Sequence, residues 1–214
     1  MKNLLRQWHR LKRVDYIDSR KEIRDALDQR IINWILKIGF TPIPIPNTLA
    51  NMNCLYSEQL RVFDLLDGMN INAILLTGGN DIGSSLIRDM LEKSLLSWAE
   101  KKKKPVLGIC RGMQMMGVYG GVKLTSVVAH NKNNHRLIIN KENSQTYPSI
   151  VNSYHNYALE TCPDHFEIIA KAEDGTLEAI RHKNLPWEGW MWHPERDDDF
   201  DKKIMNKVKN LFKN

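Results

Sequence analysis

Stretches of helical periodicity alternate along the chain with short apolar runs, the pattern of a parallel sheet covered by helices. Ile23, Leu27, Ile31, Trp34, Ile35 and Ile38 recur at three- and four-residue steps and predict one buried helix face, closed by Gly39. The prolines of Thr41-Pro-Ile-Pro-Ile-Pro46 predict a short extended segment near a sheet edge. A second helix is expected over 57–66. The apolar run 71–77 then predicts a strand that leads straight into Gly78-Gly79-Asn80-Asp81. Residues 87–103 read as a helix with Leu91, Leu95, Leu96 and Ala99 on one side. Pro105-Val-Leu-Gly-Ile109 reads as a second buried strand, and Cys110-Arg-Gly-Met-Gln-Met-Met116 as the start of another helix.

After Gly120-Gly121 the character changes. Short alternating segments near 122–128, 135–140, 149–154, 166–172, 176–182 and 187–192 predict antiparallel additions and closing strands. A charged amphipathic helix over 199–212 turns Ile204, Val208 and Leu211 inward. The expected class is α/β: a Rossmann- or flavodoxin-like, mostly parallel sheet flanked by helices, with short antiparallel additions in the C-terminal half. No repeat, low-complexity tract or linker interrupts the chain, so one domain over residues 1–214 is expected. Residues 1–15 are polar and basic where an α/β fold usually opens with a buried strand. Either Leu4 and Leu5 belong to a poor strand, or that strand is missing or replaced.

Composition narrows the class of function. Hydrophobic residues at 42% and charged residues at 26% are ordinary for a soluble globular protein. No apolar run approaches the roughly 20 residues that span a bilayer. The basic N-terminus lacks the apolar core of a secretory signal, so a cytoplasmic protein without a membrane partner is expected. Cys54, Cys110 and Cys162 are odd in number and contain no CxxC pair, which argues against a disulfide framework or a structural zinc site; no metal or cofactor is expected. The net charge of +6 suits an anionic substrate. The densest basic run, Lys101 to Lys104, closes a predicted helix, where cations complement the helix dipole. No nucleic-acid-binding spacing accompanies it, and nucleic acid is not an expected partner.

The chemistry concentrates at Gly108-Ile-Cys110-Arg-Gly112, a G-x-C-x-G pattern between a buried strand and a helix. A sharp strand-to-helix turn exposes the central side chain, and flanking glycines relieve the crowding. The helix N-terminus favours thiolate over thiol, and the Arg111 N–H is the nearest candidate donor to an oxyanion. Burial as an inert side chain is the usual fate of an intracellular cysteine, and it remains the reading for Cys54 and Cys162. A thiolate needs a proton relay. His193, in Gly189-Trp-Met-Trp-His193-Pro-Glu195, ends an aromatic-rich strand, and Glu195 can return to orient its imidazole. The Gly78-Gly79 pair leaves two readings open: an ordinary turn, or a loop whose Gly79 N–H is a second oxyanion donor.

Leu76-Thr-Gly-Gly-Asn-Asp81, Pro105-Val-Leu-Gly-Ile-Cys-Arg-Gly-Met-Gln114, Val151-Asn-Ser-Tyr-His155 and Trp192-His-Pro-Glu195 together resemble four successive signatures of class I glutamine-amidotransferase-like proteins. The Cys-Arg-Gly and Asn-Ser-Tyr-His forms are most similar to the γ-glutamyl hydrolase (peptidase C26) branch. The resemblance implies a catalytic triad of Cys110, His193 and Glu195, oxyanion donors at Gly79 and Arg111, and a γ-glutamyl pocket around Gly78, Asn80, Gln114, Ser153, Tyr154 and His155. The Arg111 side chain is left open between a charge partner for the substrate and a surface group. Thr77-Gly-Gly-Asn-Asp81, Arg24-Asp-Ala-Leu-Asp-Gln29 and Glu178-Ala-Ile-Arg-His-Lys183 further resemble γ-glutamyl-CDP-amidate hydrolases of capsule phosphoramidate biosynthesis. The family's members are often homodimers.

Three functions stay open on the sequence. One is a stand-alone hydrolase of a small γ-glutamyl substrate, favoured because 214 residues leave no room for a synthetase domain. Another is a glutaminase subunit passing ammonia to a separate synthetase. The third is a non-enzymatic redox-sensing or binding protein, against which an intact His193-Pro-Glu195 argues, since a sensor needs no general acid.

Overall fold

The structure is a computed structural model; it describes the backbone of residues 3–7 and 55–60 and the complete residues 25–49 and 61–213. Cys54, Ile23 and Arg24 lie outside the described residues. In chain order the first elements are β1 (Asn3–Gln7), α1 (Gln29–Ile38), β2 (Thr41–Ile45), α2 (Leu55–Gly68), β3 (Ala73–Leu76), α3 (Leu86–Lys101), β4 (Val106–Ile109) and α4 (Arg111–Tyr119). They are followed by β5 (Leu124–Ser126), β6 (Asn131–Ile139), β7 (Ile150–Tyr154), β8 (Tyr157–Leu159), β9 (Phe166–Ala172), β10 (Leu177–His182), β11 (Trp187–Trp190) and α5 (Lys202–Leu211).

Among the described residues nine strands form one sheet in the order β2-β1-β3-β4-β11-β10-β9-β6-β7, and β5 pairs with β8 separately. The first five are mutually parallel; from β10 onward every pairing is antiparallel. The antiparallel additions are therefore a continuation of the main sheet rather than a separate layer. Leu4 and Leu5 do belong to a strand: β1 sits between β2 and β3, with Leu5 opposite Ile43 and Ile74. Among the described strands the proline-rich β2 occupies the edge, the place in a sheet that tolerates residues without an N–H.

Side-chain alternation divides the core between the two faces of the sheet. Ala73, Leu75, Leu107 and Ile109 pack with α1 and α5, whereas Ile74, Leu76 and Val106 pack with α2, α3 and α4. In α1 the inward face is Ile31, Trp34, Ile35 and Ile38. The helix starts later than periodicity predicts, because the Asp28 side chain accepts the Arg30 N–H and caps it there; Leu27 packs on the core from outside the helix. Gly39, at φ 99°, closes the helix by donating to the Ile35 and Leu36 carbonyls.

Candidate active site

Parallel pairing of β3, β4 and β11 brings three chain segments to one end of the sheet. β3 delivers Gly78 and Gly79, β4 delivers Cys110, and β11 runs on through Met191 and Trp192 to His193. The Cys110 N–H donates to the Trp190 carbonyl at 2.6 Å, so elbow and histidine strand are fastened to each other directly.

Cys110 itself adopts φ 51°, ψ −107°, a conformation that L-residues with a side chain rarely hold and that fits a strained strand-to-helix turn. The flanking glycines are needed for packing. A Cβ on Gly112 would collide with the Leu76 carbonyl, and one on Gly108 would stand 2.6 Å from the Met116 sulfur. The turn can be this sharp only because helix α4 lies directly on the strands.

His193 is 2% exposed and hydrogen-bonds through Nδ1 to Glu195 Oε1 at 2.7 Å. Pro194–Arg196 forms one 3-10 turn, which returns Glu195 to the imidazole. Burial alone would push the imidazole toward neutrality. The Glu195 carboxylate and the hydrogen-bonded Cys110 side chain outweigh it and raise the His193 pKa to about 9. Burial likewise opposes ionisation of Glu195, yet the facing imidazolium holds its carboxyl below the ordinary carboxylate range. The arrangement can therefore keep a proton on His193 at neutral pH beside a nucleophilic sulfur.

The glycine loop is fitted to this pair. A Cβ on Gly78 would come within 2.5 Å of His193 Cε1 and 3.5 Å of Cys110 Cβ, so the bare backbone lies against both side chains. The Gly78 carbonyl accepts from Arg88 Nη2 at 3.2 Å, and the Thr77 carbonyl from the same nitrogen at 3.0 Å. No described peptide is cis, so the Gly79 N–H points away from that guanidinium and from α3.

Arg111 corrects an expectation. Its side chain is neither a surface group nor free for a substrate: it is 2% exposed and paired with both Asp89 and Glu92 of α3. Arg88 completes a buried quartet by bridging Glu92 at 2.9 Å, and Asp89 also accepts the Gly83 N–H at 2.8 Å. The quartet carries two formal charges of each sign and ties α3 to the elbow and to the glycine loop. Its signal in the sequence is a set of charges, Arg88 and Glu92, on the helical stripe that continues through Leu95 and Ala99.

The remaining expected residues fall into two groups. Tyr154 stands beside the histidine, its ring edge-on at 5.8 Å, and carries the Arg196 guanidinium 4.5 Å over its face. Gly79 and Asn80 reach the surface next to Gly78. By contrast, Gln114 Nε2 donates to the Tyr157 carbonyl at 2.8 Å and Ser153 Oγ to the His130 carbonyl at 2.5 Å. His155 is buried with both ring nitrogens turned to protein atoms, Tyr157 O and Glu178. These three side chains are engaged inside the protein. Asn152, which motif reading passes over, accepts the His193 N–H and donates to the His193 carbonyl, both at 2.9 Å. It clamps the histidine's backbone from β7. A cavity of about 470 Å³ elsewhere is bordered by Arg181, Glu188 and Lys207, which already pair with one another, and holds none of the elbow residues.

The elbow, the buried imidazole with its carboxylate and the glycine loop define a cysteine-hydrolase type of site, and the chain belongs to the class I glutamine amidotransferase family: the family model "Glutamine amidotransferase class-I" matches residues 17–208. Gamma-glutamyl-CDP-amidate hydrolase of Campylobacter jejuni subsp. jejuni is 33% identical over 190 residues, covering 85% of this chain and 86% of its own. Gamma-glutamyl-gamma-aminobutyrate hydrolase of Escherichia coli O157:H7 is 26% identical over 203 residues, covering 79% and 78%. In fold, a glutamine amidotransferase from Thermotoga maritima superposes with a TM-score of 0.61 at 15% identity, over 99% of this chain and 82% of that one. The chain is thus a hydrolytic enzyme of the γ-glutamyl hydrolase and glutamine amidotransferase kind. Among the described residues no helix is long and apolar enough to cross a membrane.

Proposed function

We propose that the chain is a stand-alone, single-domain γ-glutamyl hydrolase that releases glutamate through a Cys110 thioester, with γ-glutamyl-CDP-amidate as its foremost candidate substrate. The observation that carries the reading is the buried Cys110, His193 and Glu195 line at the ends of β4 and β11, with His193 Nδ1 2.7 Å from Glu195. The Cys110 thiolate attacks the γ-carbonyl, and the oxyanion lies against the Gly79 and Arg111 N–H groups. As the first residue of α4, Arg111 offers an N–H with no intrahelical partner. Donors of this kind contribute about 3–4 kcal/mol each. His193, protonated at rest, gives its proton to the leaving nitrogen. It then takes one from water, which attacks the thioester, freeing glutamate and restoring the thiolate.

In this reading Gly78, Asn80 and Tyr154 border the γ-glutamyl group directly. Gln114, Ser153 and His155 shape the pocket from behind, through backbone they hold in place. The identity to the Campylobacter hydrolase and the net charge of +6 both favour a nucleotide phosphoramidate. Glutamine is itself a γ-glutamyl amide with ammonia as leaving group. The same site would therefore serve a glutaminase subunit with a synthetase partner, and the family assignment keeps that second reading in view.

The test is glutamate release by the purified protein from γ-glutamyl-CDP-amidate, γ-glutamyl-GABA and glutamine, with Cys110→Ala as control. We expect one conjugate to be turned over well above glutamine, and Cys110→Ala to lose at least about 10⁴-fold in kcat while unfolding at an unchanged temperature. Turnover of glutamine alone would favour the ammonia-delivering glutaminase. Hydrolysis that survives in Cys110→Ala would overturn the assignment.

A further inference from the structure

In the antiparallel half four side chains converge that take no part in the bond-making steps, although one of them, His155, also supports the γ-glutamyl pocket from behind in the reading above. His130 precedes β6, His135 lies on β6, His155 sits in the turn between β7 and β8, and Glu178 lies on β10. Glu178 is fully buried, and neither of its carboxylate oxygens has a hydrogen-bond partner. Three imidazoles surround it: His130 Nδ1 and His155 Nε2 each stand 3.4 Å from Oε1, and His135 Nε2 stands 3.4 Å from Oε2.

That spacing is informative. A charge-assisted N–H···O bond closes to about 2.7–2.9 Å. Two ligands bound at about 2.1 Å to one tetrahedral ion sit about 3.4 Å apart. The far sides of two rings point the same way. His130 Nε2 lies 2.8 Å from Asp174 Oδ2, and His155 Nδ1 lies 3.1 Å from the Tyr157 carbonyl. Both partners are acceptors, so each of those nitrogens is the donor, which leaves the nitrogen facing Glu178 as the one able to ligate a cation. Imidazole nitrogens turned toward a buried carboxylate at this spacing call for a cation between them, a proton or a metal ion. A carboxylate or carbonyl behind each imidazole is also the usual support for a metal-ligating histidine.

We propose that His130 Nδ1, His135 Nε2, His155 Nε2 and Glu178 form a binding site for one divalent transition-metal ion of the zinc class. Three imidazole nitrogens and one carboxylate oxygen suit four-coordinate zinc, and a set filled by four protein ligands leaves no position for substrate, so the site is structural. The ligand atoms of His130, His135 and Glu178 already lie within 4.8 Å of one another. His155 Nε2 stands outside that group but 3.4 Å from Glu178 Oε1, the position from which it would join as the fourth ligand. The ion would join β6, β10 and the β7–β8 turn at one point. Because the Glu178 carbonyl accepts the Met191 N–H at 2.8 Å, that point lies beside the segment leading to His193. No ligand spacing announces such a site in the sequence, since its members come from separate elements.

The test uses the full chain as Cys110→Ala, which removes the thiol as a competing zinc ligand. Chelator-stripped protein is titrated with Zn²⁺ against a chromophoric chelator, and its Tm is followed. We expect one equivalent bound and a Tm rise of about 5–10 °C at roughly 100-fold excess over Kd. Glu178→Gln and His135→Ala in the same background should each weaken binding by about 100-fold or more. His135 is partly exposed, so its variant carries the test if the buried glutamine substitution fails to fold. Co²⁺ should give the intense visible band of a tetrahedral site, lost in His135→Ala. No bound zinc and no Tm shift would overturn the proposal and leave protons as the cations of the cluster. One equivalent retained with full affinity by a folded His135→Ala or Glu178→Gln variant would overturn it too, by placing the ion elsewhere. None of these readings depends on which γ-glutamyl compound is the substrate.

Discussion

At the elbow, Arg88, Asp89, Glu92 and Arg111 bury four charges that cancel, each meeting an opposite partner directly. In the antiparallel half, Glu178 faces three imidazoles at 3.4 Å and makes no hydrogen bond. The first is shut away from water and the second reaches it at His135; one is complete as protein and the other, in the proposal above, is complete only with an added cation. The parallel half thus carries its rigidity in its own side chains, where the reaction needs a fixed backbone. The antiparallel half has a place for something the chain does not encode.

The largest expected effect separates the two directly. Arg111→Met keeps the backbone N–H and much of the side-chain volume but leaves Asp89 and Glu92 with only Arg88. Urea unfolding should show a loss of about 3–5 kcal/mol, the range for an uncompensated buried charge. In chelator-stripped protein, Glu178→Gln should cost less, because the groups it leaves behind are imidazoles rather than permanently charged guanidinium or carboxylate groups. Equal losses would make the two clusters alike.

Gly78→Ala probes the fit of the loop rather than its charge. The added methyl would stand 2.5 Å from His193 Cε1, so kcat for glutamate release should fall about 100-fold while Tm changes little. Full turnover in that variant would show that His193 need not stay where it is.

The smallest effect is on pH dependence. His193 binds its proton more tightly in the folded protein, with a pKa of about 9 against an ordinary 6.5. Its contribution to stability is therefore present in full below about pH 6.5 and is lost as pH rises through about 9. Comparing urea midpoints of wild type and His193→Gln across that window should show the difference shrinking toward high pH. A difference that grows would mean the resting imidazole is neutral.

The same contrast explains what could be read from the sequence. Cys110 with its glycines, and His193 with Glu195, are contiguous motifs whose chemistry follows from a turn and two residues of spacing. β3, α3, β4 and α5 were legible because their apolar periods are long or uninterrupted. Ile23 and Leu27 extend the period of α1 beyond its start, but a single side-chain cap at Asp28 decides where the helix begins. β8 is three residues long and has no period to read. Arg111, Asn152 and the histidine cluster were not legible because their roles depend on partners brought from other elements. A sequence records each such residue without recording what it will face.

β11 follows every other strand in chain order, yet it lies mid-sheet between β4 and β10, and His193 and Glu195 come just after it. During synthesis, Cys110 leaves the ribosome well ahead of the imidazole and the carboxylate that equip it. A cysteine without such a partner is mostly protonated at neutral pH and reacts slowly. The nascent chain therefore carries a quiet thiol through the period when it is least folded and most exposed to oxidants. Arming of the thiol waits for the central strand to slot in.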